Sequence, residues 1–223
     1  MTSPDDLRLQ LASGAQELGI ALTRAQCDQL VGLLAELQDW NSRFNLTGIR
    51  DPADAVVKHL LDSLSIHRYL HGRTVADVGT GAGFPGLPLA VVDPERQFAL
   101  IEATTKKARF VEHAVAYLGL ANVSVVNARA ESYRPQSRFD CVVARALGNL
   151  SEILRVAGHL CAPRGKLLAM KGKSPRAEID ELPQGWHVAA LHQLHVPGLA
   201  AERHLVELER SPARRCARSL LDH

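Results

Sequence analysis

Residues 74–86 read TVADVGTGAGFPG, a short apolar run that passes directly into a glycine-rich turn. The apolar segment 87–92 follows, so the predicted order is strand, glycine turn, helix. Glycines allow the backbone to approach a ligand closely and to adopt positive φ angles, which a side chain would resist. This order is typical of the entrance to a nucleotide-type site in an open α/β sheet.

Downstream of the turn, short β-rich runs alternate with helical runs. The pattern predicts strands near residues 73–78, 97–102, 122–127, 139–144 and 165–170, and helices near residues 86–93, 104–119, 148–160 and 174–181. Such alternation predicts a parallel sheet with helices on both faces. Residues 186–196 and 203–209 look like two strands without a helix between them, which predicts an antiparallel edge hairpin on a mixed sheet.

Upstream of the turn, the chain reads as helical. Ser3 and Pro4 resemble a helix start, Thr23 to Gln26 fit a capping box, and Asp51 with Pro52 begins a third apolar-faced segment. We therefore predict a small helical N-terminal region over residues 1–70, an α/β domain over residues 71–210 and a basic tail over residues 211–223.

The composition is that of an ordinary globular protein. The 223 residues are 46% hydrophobic and carry a formal net charge of +2, which neither demands nor excludes a nucleic-acid partner. No apolar run approaches the roughly 20 residues of a membrane span, and the acidic N-terminus predicts no signal peptide. The four cysteines, Cys27, Cys141, Cys161 and Cys216, form no C-x-x-C pair, so we expect reduced thiols in a cytoplasmic protein.

Three interpretations of the glycine turn compete. Gly81, Gly83 and Gly86 satisfy the dinucleotide fingerprint G-x-G-x-x-G, whereas Asp77 with Gly79, Gly81 and Gly83 matches the pattern of S-adenosylmethionine (SAM) sites. A glycine-rich turn without a ligand is the third possibility.

Two prolines separate the first two interpretations. Pro85 and Pro88 remove N–H donors from the helix start that would bind a pyrophosphate. SAM carries an ammonium and a sulfonium, so the carboxylate of Asp77 suits it, although Asp77 could instead cap the turn.

The next two strand ends offer further cofactor contacts. Glu102 lies about 20 positions after Gly83, where a carboxylate accepts hydrogen bonds from ribose hydroxyls in such folds. A solvated glutamate is the alternative. Residues 127–131 follow the third predicted strand, where a loop could line the adenine.

Several segments of the chain together resemble one known family, the bacterial RsmG (GidB) family. They lie in the same order and spacing over about residues 38–208 and are residues 45–47 (NLT), 59–64 (HLLDSL), 77–89 (DVGTGAGFPGLPL), 106–110 (KKARF), 144–146 (ARA), 170–172 (MKG) and 202–205 (ERHL). The glycine turn with its trailing Phe-Pro-Gly is the most specific of these segments.

The resemblance implies both a fold and an activity. The implied fold is a class I SAM-dependent methyltransferase: a Rossmann-like, mostly parallel seven-stranded sheet with an antiparallel C-terminal strand, after a small helical region. The implied activity is methylation of N7 of a guanine, guanine 527, in the 530 loop of 16S rRNA. Contacts to SAM are implied at Gly79, Phe84, Glu102, the pair Ala130–Glu131, and Arg145.

The chemistry of this activity agrees with the residues present. Guanine N7 has a lone pair and no proton to lose, so the reaction requires alignment of nucleophile and methyl group but no general base. No metal is expected. We predict that Arg145, at a strand end, positions the substrate, since a guanidinium can donate to guanine O6 or to phosphate. A structural salt bridge is the alternative for Arg145.

Basic residues at the same sheet edge predict an RNA-binding surface. We expect the protein to act as a monomer. Lys106, Lys107 and Arg109 begin one predicted helix, and Lys171 and Lys173 follow the fifth predicted strand. Their expected partner is 16S rRNA or the small ribosomal subunit, with ordinary solvated cations as the alternative.

Other functional interpretations stay open at this point. An NAD-type oxidoreductase requires a catalytic histidine or Tyr-Lys pair that we cannot assign, and a SAM-fold RNA-binding protein without catalysis is also possible. His59, Asp62 and Ser63 carry the letters of a hydrolase triad, but they lie on one predicted helix. We interpret them as helix capping or as docking of the helical region against the catalytic domain.

Overall fold

The N-terminal helices begin where the capping signals predict. The computed structural model describes residues 3–211, and its first two helices are α1 (Pro4–Glu17) and α2 (Arg24–Phe44). Ser3 forms a capping box with Asp6, and Thr23 forms one with Gln26. Each box satisfies two of the backbone N–H groups that a helix start leaves without partners.

The third helical segment is continuous but not uniformly α-helical. It begins with α3 (Pro52–Ala55), continues as a π-helix over Val56–Leu61, and ends with α4 (Asp62–Leu64). The apolar periodicity predicted a helix here, and the structure confirms it. The π-helical turns were not foreseen, because a π-helix has no periodicity that separates it from an α-helix over so few residues.

A single seven-stranded sheet forms the centre of the molecule. Its strands are β1 (Thr74–Val78), β2 (Gln97–Ile101), β3 (Val123–Val126), β4 (Phe139–Arg145), β5 (Cys161–Lys171), β6 (Trp186–Leu194) and β7 (Arg203–Arg210). They lie in the order β3-β2-β1-β4-β5-β7-β6, and β7 runs antiparallel to both of its neighbours. The predicted mostly parallel sheet with an antiparallel C-terminal strand is confirmed.

The C-terminal hairpin is also confirmed, with one feature that the sequence did not predict. The last strand, β7, inserts between β5 and β6, so that β6 becomes the edge. The burial patterns agree with this order, because β6 alternates between exposed and partly buried residues whereas residues 204–208 of β7 are all buried.

Helices cover both faces of this sheet. They are α5 (Gly86–Val92), α6 (Thr105–Leu118), α7 (Leu150–Ala157) and the short α8 (Arg176–Ile179). All four fall within the predicted ranges. The predicted strand at residues 165–170 is longer than expected, because β5 already begins at Cys161.

Two hydrophobic clusters form the core, one on each face of the sheet. The larger cluster joins Leu11 of α1, Leu30 of α2 and Leu60 of the π-helix to Leu100 of β2 and Phe110 of α6. The helical region therefore shares its core with the sheet and completes one of its two faces.

Three of the four cysteines are free and buried, as expected of reduced thiols: Cys27, Cys141 and Cys161. Cys216 lies outside the described residues with most of the predicted basic tail. Burial raises the pKa of the Cys141 thiol to about 12, which makes it unreactive. Among residues 3–211, no helix has the length and apolar character needed to cross a membrane.

Candidate active site

The glycine turn between β1 and α5 needs its glycines for backbone geometry. Gly79, Gly81 and Gly83 have φ angles of 69°, 62° and 89°. A Cβ atom on Gly79 would lie 2.8 Å from Leu147 Cδ1, so this position also needs a close approach. A Cβ atom on Gly81 would meet nothing nearer than 4.0 Å, so this turn borders open space at the carboxyl edge of the sheet.

Asp77 holds the two ends of this turn together from below. Its side chain is buried, and its Oδ2 accepts hydrogen bonds from the Thr80 hydroxyl at 2.6 Å and from the Gly86 N–H at 2.8 Å. Burial raises the pKa of this carboxyl to about 6. Its Oδ1 is buried without a hydrogen-bond partner among the described residues. Through these contacts Asp77 caps the turn, which is one of the two roles that the sequence allowed for it.

Glu102, at the end of β2, closes the other side of the turn. Its Oε2 accepts from the Gly81 N–H at 2.9 Å and its Oε1 from the Thr104 N–H at 2.7 Å. Asn127 donates to the Glu102 carbonyl oxygen at 2.9 Å, which links the loop after β3 to the same corner. Ala130 is buried in a short 3₁₀ turn of this loop, and Glu131 beside it is exposed. The structure thus brings three predicted cofactor segments to one edge.

The start of α5 offers no free N–H group to a phosphate. The Gly86 N–H is bound to Asp77, the Leu87 N–H donates to the Gly83 carbonyl at 2.7 Å, and Pro88 has no N–H. A pyrophosphate requires such free donors at a helix N-terminus. The dinucleotide interpretation therefore lacks the binding element on which it depends.

Arg145, at the end of β4, is held by the helical region. Its Nη1 donates to Asp62 Oδ2 at 2.9 Å and to the Lys58 carbonyl oxygen at 3.4 Å. The other oxygen of Asp62, Oδ1, accepts from Nε of Arg203, at the start of β7, at 2.7 Å. Both the docking predicted for Asp62 and the salt bridge considered for Arg145 are therefore present.

An aromatic stack lies between this ion-pair cluster and the glycine turn. The rings of His59 and Phe84 are nearly parallel, with centroids 4.5 Å apart, and the Arg145 guanidinium lies 5.8 Å from the Phe84 centroid. His59 Nε2 lies 3.0 Å from the Thr47 hydroxyl. Burial, together with the charge of Arg145, lowers the pKa of His59 to about 4, so the imidazole is neutral at physiological pH.

Two of the predicted RNA-binding cations have partners within the protein. Lys106 donates to the Phe44 carbonyl oxygen at 3.0 Å, and Lys171 binds the Gly148 carbonyl at 2.8 Å and Glu178 at 2.9 Å. Lys106 starts α6 but also faces the C-terminus of α2, whose negative dipole end stabilises it. No side-chain hydrogen bond or ion pair joins Lys107, Arg109 or Lys173 to other residues between 3 and 211.

Two site residues escaped the sequence-based selection, Thr47 and Arg203. Both lie within the segments that carry the family resemblance, and this was the only available signal for them. His59 and Asp62 were predicted to dock the helical region, but their contacts with Phe84 and with two arginines were not predicted. Within residues 3–211, no cluster of three or more His, Cys, Asp or Glu side chains could hold a metal ion.

The sheet order, the antiparallel β7 and the glycine turn after β1 define a class I methyltransferase fold. Solved structures agree. A SAM-dependent methyltransferase from Aquifex aeolicus aligns with a TM-score of 0.54 and 20% identity over 71% of this chain and 93% of that chain. The Bacillus subtilis m1A22 tRNA methyltransferase TrmK aligns with a TM-score of 0.55 and 15% identity over 70% of this chain and 68% of that chain. At such identities the likeness concerns the fold alone.

The sequence relatives are much closer, and they define the family. Residues 26–206 match the GidB family, described as rRNA small subunit methyltransferase G. The ribosomal RNA small subunit methyltransferase G of Methylococcus capsulatus is 51% identical over 89% of this chain and 97% of its own length. Its counterpart in Nitrosococcus oceani is 46% identical over 89% of this chain and 92% of its own length. The chain belongs to the rRNA small subunit methyltransferase G family.

Proposed function

We propose that this protein transfers a methyl group from SAM to N7 of guanine 527 in the 530 loop of 16S rRNA. The observation that carries the proposal is the meeting of the glycine turn, Glu102 and Arg145 at the carboxyl edge of a methyltransferase sheet. The near full-length match to rRNA small subunit methyltransferases supports rRNA as the substrate. The proposed setting is the cytoplasm, with the protein acting as a monomer.

The residues at the turn fit a cationic nucleoside cofactor. SAM would supply a methyl group already activated on its sulfonium. The open space beside Gly81 admits a ligand, and Glu102 presents a carboxylate at the strand end where ribose hydroxyls bind in this class of fold. Asp77 adds negative charge beneath the turn, and its Oδ1 has no protein partner among the described residues. Gly79, Gly83, Phe84, Ala130 and Glu131 complete the proposed cofactor site.

The site needs no general base for this reaction. Guanine N7 has a lone pair, so the protein must align N7 with the methyl group and exclude water. The histidine that stacks on Phe84, His59, is buried there and contacts the Thr47 hydroxyl. Methylation leaves a positive charge on the base, so a cation directly beside N7 would oppose the product. We therefore assign Arg145 to positioning the guanine or its phosphate, and not to stabilising charge at N7.

The proposed RNA surface uses the predicted cations at the same edge. Lys107, Arg109 and Lys173 are the members without a protein partner in the described part of the chain, so their charges are available to phosphates. Lys106 and Lys171 keep their protein contacts and add positive potential.

Labelled SAM provides the direct test of the function. The protein is incubated with unmodified small subunits and, separately, with naked 16S rRNA, and the labelled base is mapped. Label at N7 of guanine 527 is the expected result. Absence of label in both substrates, with SAM binding intact, would leave a SAM-fold RNA-binding protein without catalysis.

Arg145→Ala tests the assignment of Arg145. Because we place this side chain on the substrate, we expect methyl transfer to fall by about 10- to 100-fold while SAM affinity changes little. The matched control is Arg155→Ala, which removes an exposed arginine of α7. Equal losses of transfer and of SAM affinity in Arg145→Ala would instead make Arg145 a cofactor residue.

A further inference from the structure

Asp62 joins three separate parts of the molecule at the edge of the candidate site. It lies on α4 and is only 2% exposed, yet each of its carboxylate oxygens binds a different arginine. Arg145 comes from the end of β4 and Arg203 from the start of β7. The contacts therefore connect the helical region to two strands of the sheet.

The cluster has more positive charge and more donors than Asp62 can use. One carboxylate lies between two guanidinium groups, each with five N–H donors. Arg145 uses only Nη1, and Arg203 uses Nε and Nη1, the latter to the Glu202 carbonyl oxygen. Both side chains keep some exposure, 21% and 24%. The Nη2 groups of both arginines are thus available to a ligand.

Asp62 is the rigid member of this cluster. Its neighbours Leu61 and Leu64 are each 1% exposed, so the helix that carries it is fixed in the core. An arginine side chain has about 2 kcal/mol of rotamer entropy to lose, and two adjacent guanidinium groups repel each other. The short, buried carboxylate of Asp62 lies between the two guanidinium groups. It offsets their repulsion and restricts both arginine side chains to one position before a ligand binds.

We propose that Asp62 is a positioning residue for methyl transfer, which holds Arg145 and Arg203 together so that their free N–H groups bind one oxyanion of the reactants. The oxyanion is either a phosphate of the RNA or the carboxylate of the methyl donor. The inference rests on the proposed function, because it assigns a task in that same reaction. It also gives the helical region a direct part in the site.

Asp62→Asn tests this proposal, because it removes the charge and keeps the shape. We expect kcat/KM for rRNA methylation to fall by about 10- to 100-fold, the loss typical of a small misplacement of reactants. A raised KM for rRNA with unchanged SAM affinity assigns the oxyanion to RNA, and weaker calorimetric SAM binding assigns it to the cofactor. Asp54→Asn is the matched control, since Asp54 forms an exposed ion pair with Lys58 on the same helical segment.

A double-mutant cycle separates positioning from simple support of the fold. If Asp62 acts through the arginines, Asp62→Asn combined with Arg203→Gln should lose no more activity than the worse single variant. Multiplied losses, or an Asp62→Asn variant as active as Asp54→Asn, would overturn the proposal. An inactive wild-type protein would instead reject the proposed function.

Arg203→Lys covers the case in which Asp62→Asn does not fold. Lysine keeps the charge that Asp62 binds but lacks the second arm of the guanidinium. We expect its melting temperature to stay close to that of the wild type, with a several-fold higher KM for rRNA or Kd for SAM. Wild-type values of both constants would contradict the proposal.

Discussion

At the scale of single residues, a buried carboxylate lies beneath the glycine turn of the candidate site. Asp77 binds the Thr80 hydroxyl and the Gly86 N–H, and so fixes where the turn begins and ends. Burial raises its pKa from the usual 3.8 to about 6. Asp77 can thus cap the turn and, in the proposed site, also attract the cationic cofactor.

Asp77→Asn should make the protein less sensitive to pH. Because the pKa of Asp77 is raised in the folded state, its contribution to stability is fully present below about pH 3.8 and is lost as the pH rises through about 6. The variant has no such titration. Its free energy of unfolding relative to wild type should therefore rise by up to about 2–3 kcal/mol between pH 4 and pH 7.

Urea unfolding across this pH range measures the difference. The control is Asp39→Asn, which removes one partner of an exposed ion pair with Arg43. Parallel curves for Asp77→Asn and wild type would contradict the burial effect. Calorimetry on the same variant tests the cofactor role, since weaker SAM binding in a stable protein indicates that the charge serves the ligand.

Gly79→Ala should damage both the fold and the cofactor site. The φ angle of 69° would cost alanine about 1–2 kcal/mol, and the new Cβ would also displace Leu147. Gly19→Ala is a matched control, because Gly19 has a φ angle of 78° but only open space around its Cβ position. Thermal unfolding and SAM titration should show a larger stability loss in Gly79→Ala, and weaker SAM binding only there.

At the scale of secondary-structure elements, the two lysines at and after the end of β5 differ in their contacts with the rest of the protein. Lys171 binds the Gly148 carbonyl oxygen before α7 and Glu178 on α8, while Glu178 also accepts from the Leu150 N–H at 2.8 Å. One lysine thus connects the end of β5 to the start of α7, which precedes β5 in the chain, and to α8, which follows it. Lys173, two positions later, makes no such contact within residues 3–211.

Lys171→Ala and Lys173→Ala should therefore differ in stability. Loss of the Lys171 contacts should cost about 1–2 kcal/mol, because a charged hydrogen bond and a carbonyl partner are removed. Lys173→Ala should stay within about 0.5 kcal/mol of wild type. If both lysines face RNA, both variants should bind rRNA more weakly, with a smaller dependence on salt concentration. Equal stabilities would show that the Lys171 contacts contribute nothing measurable.

At the scale of the whole molecule, the helical region and the sheet share one core. Leu7 and Leu11 of α1 belong to the same apolar cluster as Val75 and Leu100 of the sheet. A Cβ on Gly14 of α1 would lie 2.5 Å from Leu61 Cδ1, so α1 packs directly against the π-helical segment that leads to Asp62. The core and the candidate site therefore depend on the same helical contacts.

Leu11→Ala should destabilise the whole molecule in one transition. Leu11 is 0% exposed, and truncation of such a side chain costs about 2–5 kcal/mol. Leu9→Ala is the control, because Leu9 on the same helix is 70% exposed and should change stability by less than about 0.5 kcal/mol. Near-UV and far-UV circular dichroism should report the same unfolding midpoint. Separate midpoints for helical region and sheet would contradict a shared core.

Local patterns in the sequence were enough to predict the order of elements, the glycine turn and the sheet edge that carries the candidate site. Capping at Ser3 and Thr23, alternation along the strands and the glycines after β1 are local signals, and parallel strands bring their carboxyl ends to one edge. Two features are seen only in the folded structure: the contacts of Asp62 with both Arg145 and Arg203, and the placement of β7 between β5 and β6. These features depend on the packing of segments that are distant in sequence, and no local periodicity carries that information.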